Sequence, residues 1–159
     1  MKRWFYGFYN MSTDADGNYQ AATDFELAKI FDGGLWRPTT WDNGANFTWA
    51  YLAPWGGHPG SFPERRATIR RWVSDVSGAA TVSISMNKAD AGGGDGVRAL
   101  LYVDGTLVFD RSIEGTDSTG FVQPVAVDLA NGSTVDLFLD PIGQDEVDTT
   151  TQSMTIQSR

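Results

Sequence analysis

Aromatic side chains between positions 36 and 55 carry the strongest chemical signal in this 159-residue chain. A pyranose presents an apolar C–H face that stacks on an aromatic ring, and its hydroxyls hydrogen-bond to polar side chains. Rings and polar residues alternate here, which favours saccharide binding over a purely structural role. The predicted ligand-binding residues are Trp36, Trp41, Trp49, Tyr51, Trp55, Asp42, Asn43, Asn46 and His58. The alternative is that the rings fill the core, where Trp and Phe are usually buried.

Carboxylates between Asp140 and Thr149 indicate a second chemistry. Dense oxygen donors in a glycine-bearing loop suit Ca²⁺ better than a transition metal. We therefore predict Asp140, Asp145 and Asp148 as ligands of a structural calcium, with solvated turn aspartates as the alternative. The 14–18 segment also looks like part of a calcium loop, but the acid expected at its twelfth position is Phe25.

Other catalytic chemistries have little support. The chain has no cysteine and a single histidine, His58, which excludes thiol catalysis and multi-histidine metal centres. The glycine-rich 92–96 loop precedes a strand, whereas a phosphate loop leads into a helix. Twenty acidic residues leave a carboxylate pair for glycoside hydrolysis open as an alternative. No catalytic residue and no required cofactor are predicted.

The net charge of −8 argues against nucleic acid and anionic membranes as partners, because both need basic surfaces. No apolar run approaches the roughly 20 residues of a membrane helix. The N-terminus lacks the aliphatic stretch of a signal peptide. The length and the absence of a linker predict one domain over residues 1–159.

Alternating strands must position these residues. Period-two patterns or β-rich runs predict strands over 4–9, 47–52, 67–73, 80–86, 97–103, 106–113, 121–129, 133–140 and 153–157. Asp104-Gly105 predicts a hairpin, and Pro124 predicts an edge strand or a bulge. Strands at this spacing, with almost no helix, indicate an all-β fold, an antiparallel β-sandwich of jelly-roll type.

Two adjacent arginines lie on the predicted strand 67–73. Arg70 and Trp72 share one face of this strand, while Arg71 takes the other. We expect one arginine to be half-buried among carboxylates, since an Arg–carboxylate pair is bidentate and geometrically demanding. Binding of a sugar acid by these arginines is the alternative.

Several short motifs occur in an order that resembles a known module. They are Trp4-Phe5-Tyr6-Gly7, His58-Pro59-Gly60, Arg70-Arg71-Trp72-Val73-Ser74, Gly93-Gly94-Asp95-Gly96-Val97, Asp104-Gly105-Thr106, Asp140-Pro141 and Asp148-Thr149-Thr150. The chain resembles jelly-roll modules similar to the non-catalytic carbohydrate-binding modules appended to secreted bacterial polysaccharide-degrading enzymes. The resemblance implies this fold, a polysaccharide or glycan partner, an extracellular location and a catalytic domain in a longer parent chain. No binding residue is carried over from it.

Two other functions stay open at this point. A small jelly-roll glycoside hydrolase or polysaccharide lyase would need close carboxylates, or a Tyr/His/Arg set, in a groove. A structural or assembly sandwich would need a large apolar face and a defined oligomer.

Overall fold

A computed structural model describes residues 3–40, 44 and 47–159, and this part of the chain contains thirteen β-strands and no α-helix. The strands are β1 (Trp4–Asn10), β2 (Glu26–Leu27), β3 (Ile30–Asp32), β4 (Leu35–Arg37), β5 (Tyr51–Ala53), β6 (Gly56–His58), β7 (Arg66–Val73), β8 (Gly78–Lys88), β9 (Val97–Val103), β10 (Thr106–Ile113), β11 (Phe121–Leu129), β12 (Thr134–Asp140) and β13 (Thr150–Ser158). No helix among these residues is long and apolar enough to cross a membrane.

The strands form two antiparallel sheets. Sheet A has the order β10-β9-β12-β7-β1-β2, and sheet B has the order β11-β8-β13-β6-β5-β4-β3. From β6 onward the chain changes sheet at every connection except the β9–β10 hairpin. This alternation between two sheets is the jelly-roll arrangement that the strand pattern predicts.

The main core lies between the sheets. Sheet B contributes Val82 and Ile84, and sheet A contributes Leu101 and Leu137, all fully buried in one apolar cluster. Because side chains alternate along a strand, the polar residues between them face outward. Each such buried aliphatic side chain stabilises the fold by about 1.5–3 kcal/mol.

A second cluster covers the outer face of sheet A. Tyr19, from the 11–25 segment, packs on Ile69 and Phe138 there. Arg71 lies at the border of this cluster and makes two bonds to the fully buried carboxylate of Asp136, at 2.7 and 2.8 Å. This is the half-buried Arg–carboxylate pair expected from the sequence, so Arg71 is occupied by a partner within the chain.

Most predicted strands have the expected positions. Residues 97–103, 106–113 and 121–129 form strands with the predicted bounds, and Pro124 lies on β11, an edge strand of sheet B. The Asp104-Gly105 turn has φ of 50° and 79°, as a tight hairpin requires. The strand predicted over 47–52 is wrong in its first four residues, since β5 begins only at Tyr51.

Candidate functional site

A cluster of rings lies on the outer face of the β5–β6 hairpin. Tyr51 of β5 pairs in register with His58 of β6, and the two rings stack with centroids 5.7 Å apart and planes 24° apart. Trp55, in the turn between the strands, meets Tyr51 edge-on at 6.3 Å. Trp55 is 49% exposed, so the hairpin carries an aromatic surface that water can reach.

Trp49 extends this surface on the N-terminal side of β5. It is 53% exposed, and its ring meets Phe47 edge-on with centroids 5.1 Å apart. The predicted saccharide site requires rings that water can reach. Trp49 and Trp55 meet this requirement, whereas His58 is 8% exposed and lies largely beneath its neighbours.

A cleft of about 330 Å³ opens beside these rings. It is bounded by the ring side chains and by residues from two other connections, the one after β8 and the one between β12 and β13. Its lining residues are Trp49, Tyr51, His58, Asp90, Asp145, Glu146, Val147 and Thr149. The cleft therefore combines flat apolar faces with carboxylate and hydroxyl groups, the combination that a sugar ring requires.

The hairpin is held from inside the sandwich by Arg70. Its guanidinium donates to the carbonyl oxygens of Ala53 and Gly56, which flank the turn carrying Trp55, and to the hydroxyl of Tyr6. Arg70 projects from sheet A, so these bonds tie the two sheets together beneath the rings. A guanidinium used in this way is buried and does not face a ligand. Neither Arg70 nor Arg71 thus supports the alternative of a sugar-acid site.

The 140–149 loop forms the acidic wall of the cleft and is fixed at three points. Asp140 accepts a bond from Arg65 at 2.8 Å, and Asp145 accepts bonds from the backbone N–H and the hydroxyl of Ser61 at 3.0 and 2.6 Å. Asp148 lies 2.8 Å from Lys88, and both side chains are 0% exposed. Burial raises the pKa of Asp148 to about 6, although the Lys88 ammonium opposes this shift.

His58 has one defined tautomer. Its Nδ1 lies 2.6 Å from the carbonyl oxygen of Pro59, which can only accept, so Nδ1 carries the proton and donates it. Burial lowers the pKa of His58, and the ring is neutral at physiological pH. Its Nε2 is then a lone-pair acceptor, and it has no hydrogen-bond partner within the described part of the chain.

The calcium ligands predicted at Asp140, Asp145 and Asp148 do not fit one ion in this geometry. Two of these carboxylates already face cations of the chain, Arg65 and Lys88, and the third is bonded to Ser61. Among residues 3–40, 44 and 47–159, no three histidine or acidic side chains form a set that could hold a metal ion. The geometry gives the calcium hypothesis no support.

Trp36 lies apart from the other predicted rings. It pairs with Leu52, the neighbour of Tyr51 along β5, and Leu52 is fully buried. Since adjacent residues point to opposite faces, Trp36 faces the interior, where its ring meets Tyr6 of sheet A edge-on at 6.3 Å. It lines a separate, apolar cleft of about 470 Å³ with Trp4 and Leu27.

Trp41, Asp42, Asn43 and Asn46 lie outside the described residues. Four lining residues were not among the predicted site residues: Asp90, Glu146, Val147 and Thr149. The last three belong to the 140–149 loop, which the sequence singled out as a calcium loop rather than as part of a saccharide site. Asp90 lies in another connection, and no local pattern distinguishes it from other polar loop residues.

Carbohydrate-binding modules are among the solved structures to which this chain is similar. Two matches come from Clostridium perfringens. The CBM51-2 and INT domains of ZmpB match with 16% identity and a TM-score of 0.43, over 67% of this chain and 23% of that chain. CBM51 from GH95 in complex with methyl-galactose matches with 15% identity and a TM-score of 0.40, over 64% of this chain and 80% of that chain. A third match is CBM35 from Cellvibrio japonicus Abf62, with 16% identity and a TM-score of 0.39, over 98% of this chain and 96% of that chain. No protein-family model and no curated protein matches the chain significantly. The resemblance stated from the sequence is to the same class of module.

Proposed function

We propose that this chain is a non-catalytic module that binds a polysaccharide or glycan in the cleft beside Trp49 and Tyr51. The observation that carries the proposal is the juxtaposition of these rings with carboxylate and hydroxyl groups around one open cleft of about 330 Å³. Water reaches the rings there, so a sugar can displace it from their faces.

Binding would follow from two complementary interactions. The apolar face of a sugar ring stacks on an aromatic side chain, and aromatic contacts of this kind contribute about 0.5–1.5 kcal/mol beyond the area they bury. Hydroxyl groups of the sugar donate to Asp90, Asp145 and Glu146 at the rim. Few contacts in an open cleft give modest affinity per site, as suits a module that meets many repeats along one polymer.

The location and the parent protein belong to the same proposal. A module of this kind acts outside the cell, beside a catalytic domain in a longer bacterial chain, and brings that domain to its polymer. The net charge of −8 is consistent with an uncharged or basic glycan as the partner and disfavours nucleic acid.

The test is a glycan array followed by calorimetric titration of the best oligosaccharide. Trp49→Ala and Tyr51→Ala should each weaken binding at least about tenfold, since each removes a stacking face. Phe31→Ala is the matched control, because Phe31 is 60% exposed but does not line this cleft. Retained binding in both cleft variants, or no binding to any glycan by the wild type, would overturn the proposal.

Two further measurements test whether the chain is an enzyme and whether binding needs calcium. Release of reducing sugar, or of an unsaturated product, from the bound polymer would show that the chain is an enzyme. The proposal assigns calcium no role in binding, so a chelator should leave the affinity unchanged. A loss on chelation would restore the calcium hypothesis.

A further inference from the structure

The charged side chains around the ring cleft, among the described residues, are all carboxylates. Asp90, Asp145 and Glu146 contribute carboxylates, and no Lys or Arg is among the described residues that line the cleft. The hydroxyls of Tyr51 and Thr149 can donate or accept, but a ligand that contacts the carboxylates must itself supply donors.

Within the described part of the chain, these three carboxylates also lack a cation of their own. Asp145 is bonded to Ser61, and Asp90 accepts from the backbone N–H of Gly92, both uncharged donors. No ion pair within residues 3–40, 44 and 47–159 involves Asp90, Asp145 or Glu146. By contrast, Asp140 and Asp148 of the same loop are each paired with a cation. The negative charge at the cleft is therefore left for a ligand to balance.

His58 adds one more hydrogen-bond acceptor to the cleft. It is more than nine-tenths buried, it lines the cleft, and its Nδ1 is committed to Pro59. The opposite ring nitrogen, Nε2, is an acceptor without a partner in the described chain. Nε2 is not among the fully buried side-chain atoms that lack a partner, so water reaches it from the cleft, and a donor group of a ligand can replace that water.

We infer that the cleft selects a cationic amino sugar, a glycan built from 2-amino-2-deoxy units whose ammonium group lies against the Asp90, Asp145 and Glu146 carboxylates while the ring stacks on Tyr51 or Trp49. The inference rests on the proposed function and specifies its ligand class. An ammonium group supplies up to three donors and a positive charge, whereas a uronic acid brings a carboxylate that these three would repel.

The test compares two oligosaccharides that differ only at the amine with a third that carries a carboxylate. Calorimetric titrations near neutral pH would use a glucosamine oligomer, its N-acetylated counterpart and a galacturonic acid oligomer of equal length. The glucosamine oligomer should bind best, and its affinity should fall as salt is raised, because partly exposed charges are screened. The galacturonic acid oligomer should not bind.

A charge-matched pair of variants isolates the cleft. Asp90→Asn combined with Glu146→Gln should weaken binding of the glucosamine oligomer about fivefold to tenfold, at up to about fivefold per exposed ion pair, and leave the N-acetylated oligomer within about twofold. Asp128→Asn combined with Glu114→Gln removes the same charge from exposed positions outside the cleft. This control variant should bind like the wild type.

Each other outcome overturns the inference. Equal affinity for the amine and its N-acetylated counterpart, or selection of another neutral or acidic glycan, would leave the proposed function intact and remove the amino-sugar selectivity. An equal loss in the control variant would show attraction of a polycation to the acidic chain as a whole. No binding of any glycan to the wild type would remove the inference together with the proposed function.

Discussion

The buried pair of Lys88 and Asp148 makes a strong prediction about stability. Both side chains are 0% exposed, and Nζ lies 2.8 Å from Oδ1. Lys88→Met removes the cation and leaves a carboxylate inside the sandwich. Loss of one partner of a buried pair costs about 3–5 kcal/mol. At about 2–4 °C per kcal/mol for a domain of this size, Tm should fall by about 6–20 °C.

The pH dependence of this variant has a defined sign. Burial raises the pKa of Asp148 above its unfolded value, so the native state binds more protons than the unfolded state between those two values. The free energy of unfolding of Lys88→Met should therefore rise as pH falls from about 7 toward 4, because protonation removes the unpaired charge. The double variant Lys88→Met/Asp148→Leu should lie much closer to the wild type than the single variant does.

Urea unfolding followed by tryptophan fluorescence, at neutral and mildly acidic pH, measures these differences. Destabilisation of less than about 1 kcal/mol by Lys88→Met would place the pair in an exposed, screened setting. A double variant at least as unstable as the single one would contradict the argument that the unpaired charge causes the loss.

Three further predictions concern other parts of the fold. Arg70→Met should lower the free energy of unfolding, measured in urea, by about 2–3 kcal/mol and should also weaken glycan binding. Both effects follow because two carbonyls beside the Trp55 turn lose their charged donor. An unchanged glycan affinity in calorimetry would show that Arg70 does not position the rings. Gly120→Ala should lower the free energy of unfolding by about 1–3 kcal/mol or more, and Tm with it. Gly120 has a φ of 62°, and a Cβ there would lie 2.0 Å from the carbonyl oxygen of Met86. An unchanged Tm in calorimetric melting would refute this. In the wild type, the pKa of Asp148 is raised to about 6, so protonation of this group increases the free energy of unfolding as pH falls from about 7 to 4. Asp148→Asn should therefore make the free energy of unfolding depend less on pH in this range. An unaltered pH dependence would contradict the raised pKa of Asp148.

The later strands were predictable because each signal is local. Residues 97–113 contain two β-rich runs joined by Asp104-Gly105, and a turn of this kind sets the register of its own hairpin. The 47–52 run shows the limit of such signals. It alternates like a strand, but the Thr48 hydroxyl accepts the backbone N–H of Ala50, a local bond that replaces a ladder bond.

The candidate site was predictable in part for a related reason. Trp49, Tyr51, Trp55 and His58 come together because they belong to one hairpin and the residues beside it. Trp36 lies on the opposite face because it pairs with Leu52, and pairing between distant strands cannot be read from a single run. The sequence marked the 140–149 loop as acidic but not its position beside the rings, because this loop and Asp90 reach the cleft through sheet topology.

A proton–nitrogen NMR titration with assigned indole N–H signals tests whether a saccharide stacks on the rings of this cleft. Trp49 lines the ring cleft, whereas Trp4 and Trp36 line the other apolar cleft, so the indole signals report on the two clefts separately. With a bound oligosaccharide, the signal of Trp49 should shift with the concentration dependence of binding, and that of Trp55 should shift by a smaller amount. The signals of Trp4 and Trp36 should stay in place. Shifts confined to Trp4 and Trp36 would move the site to the other cleft, and no shift of Trp49 at saturation would contradict stacking on its ring.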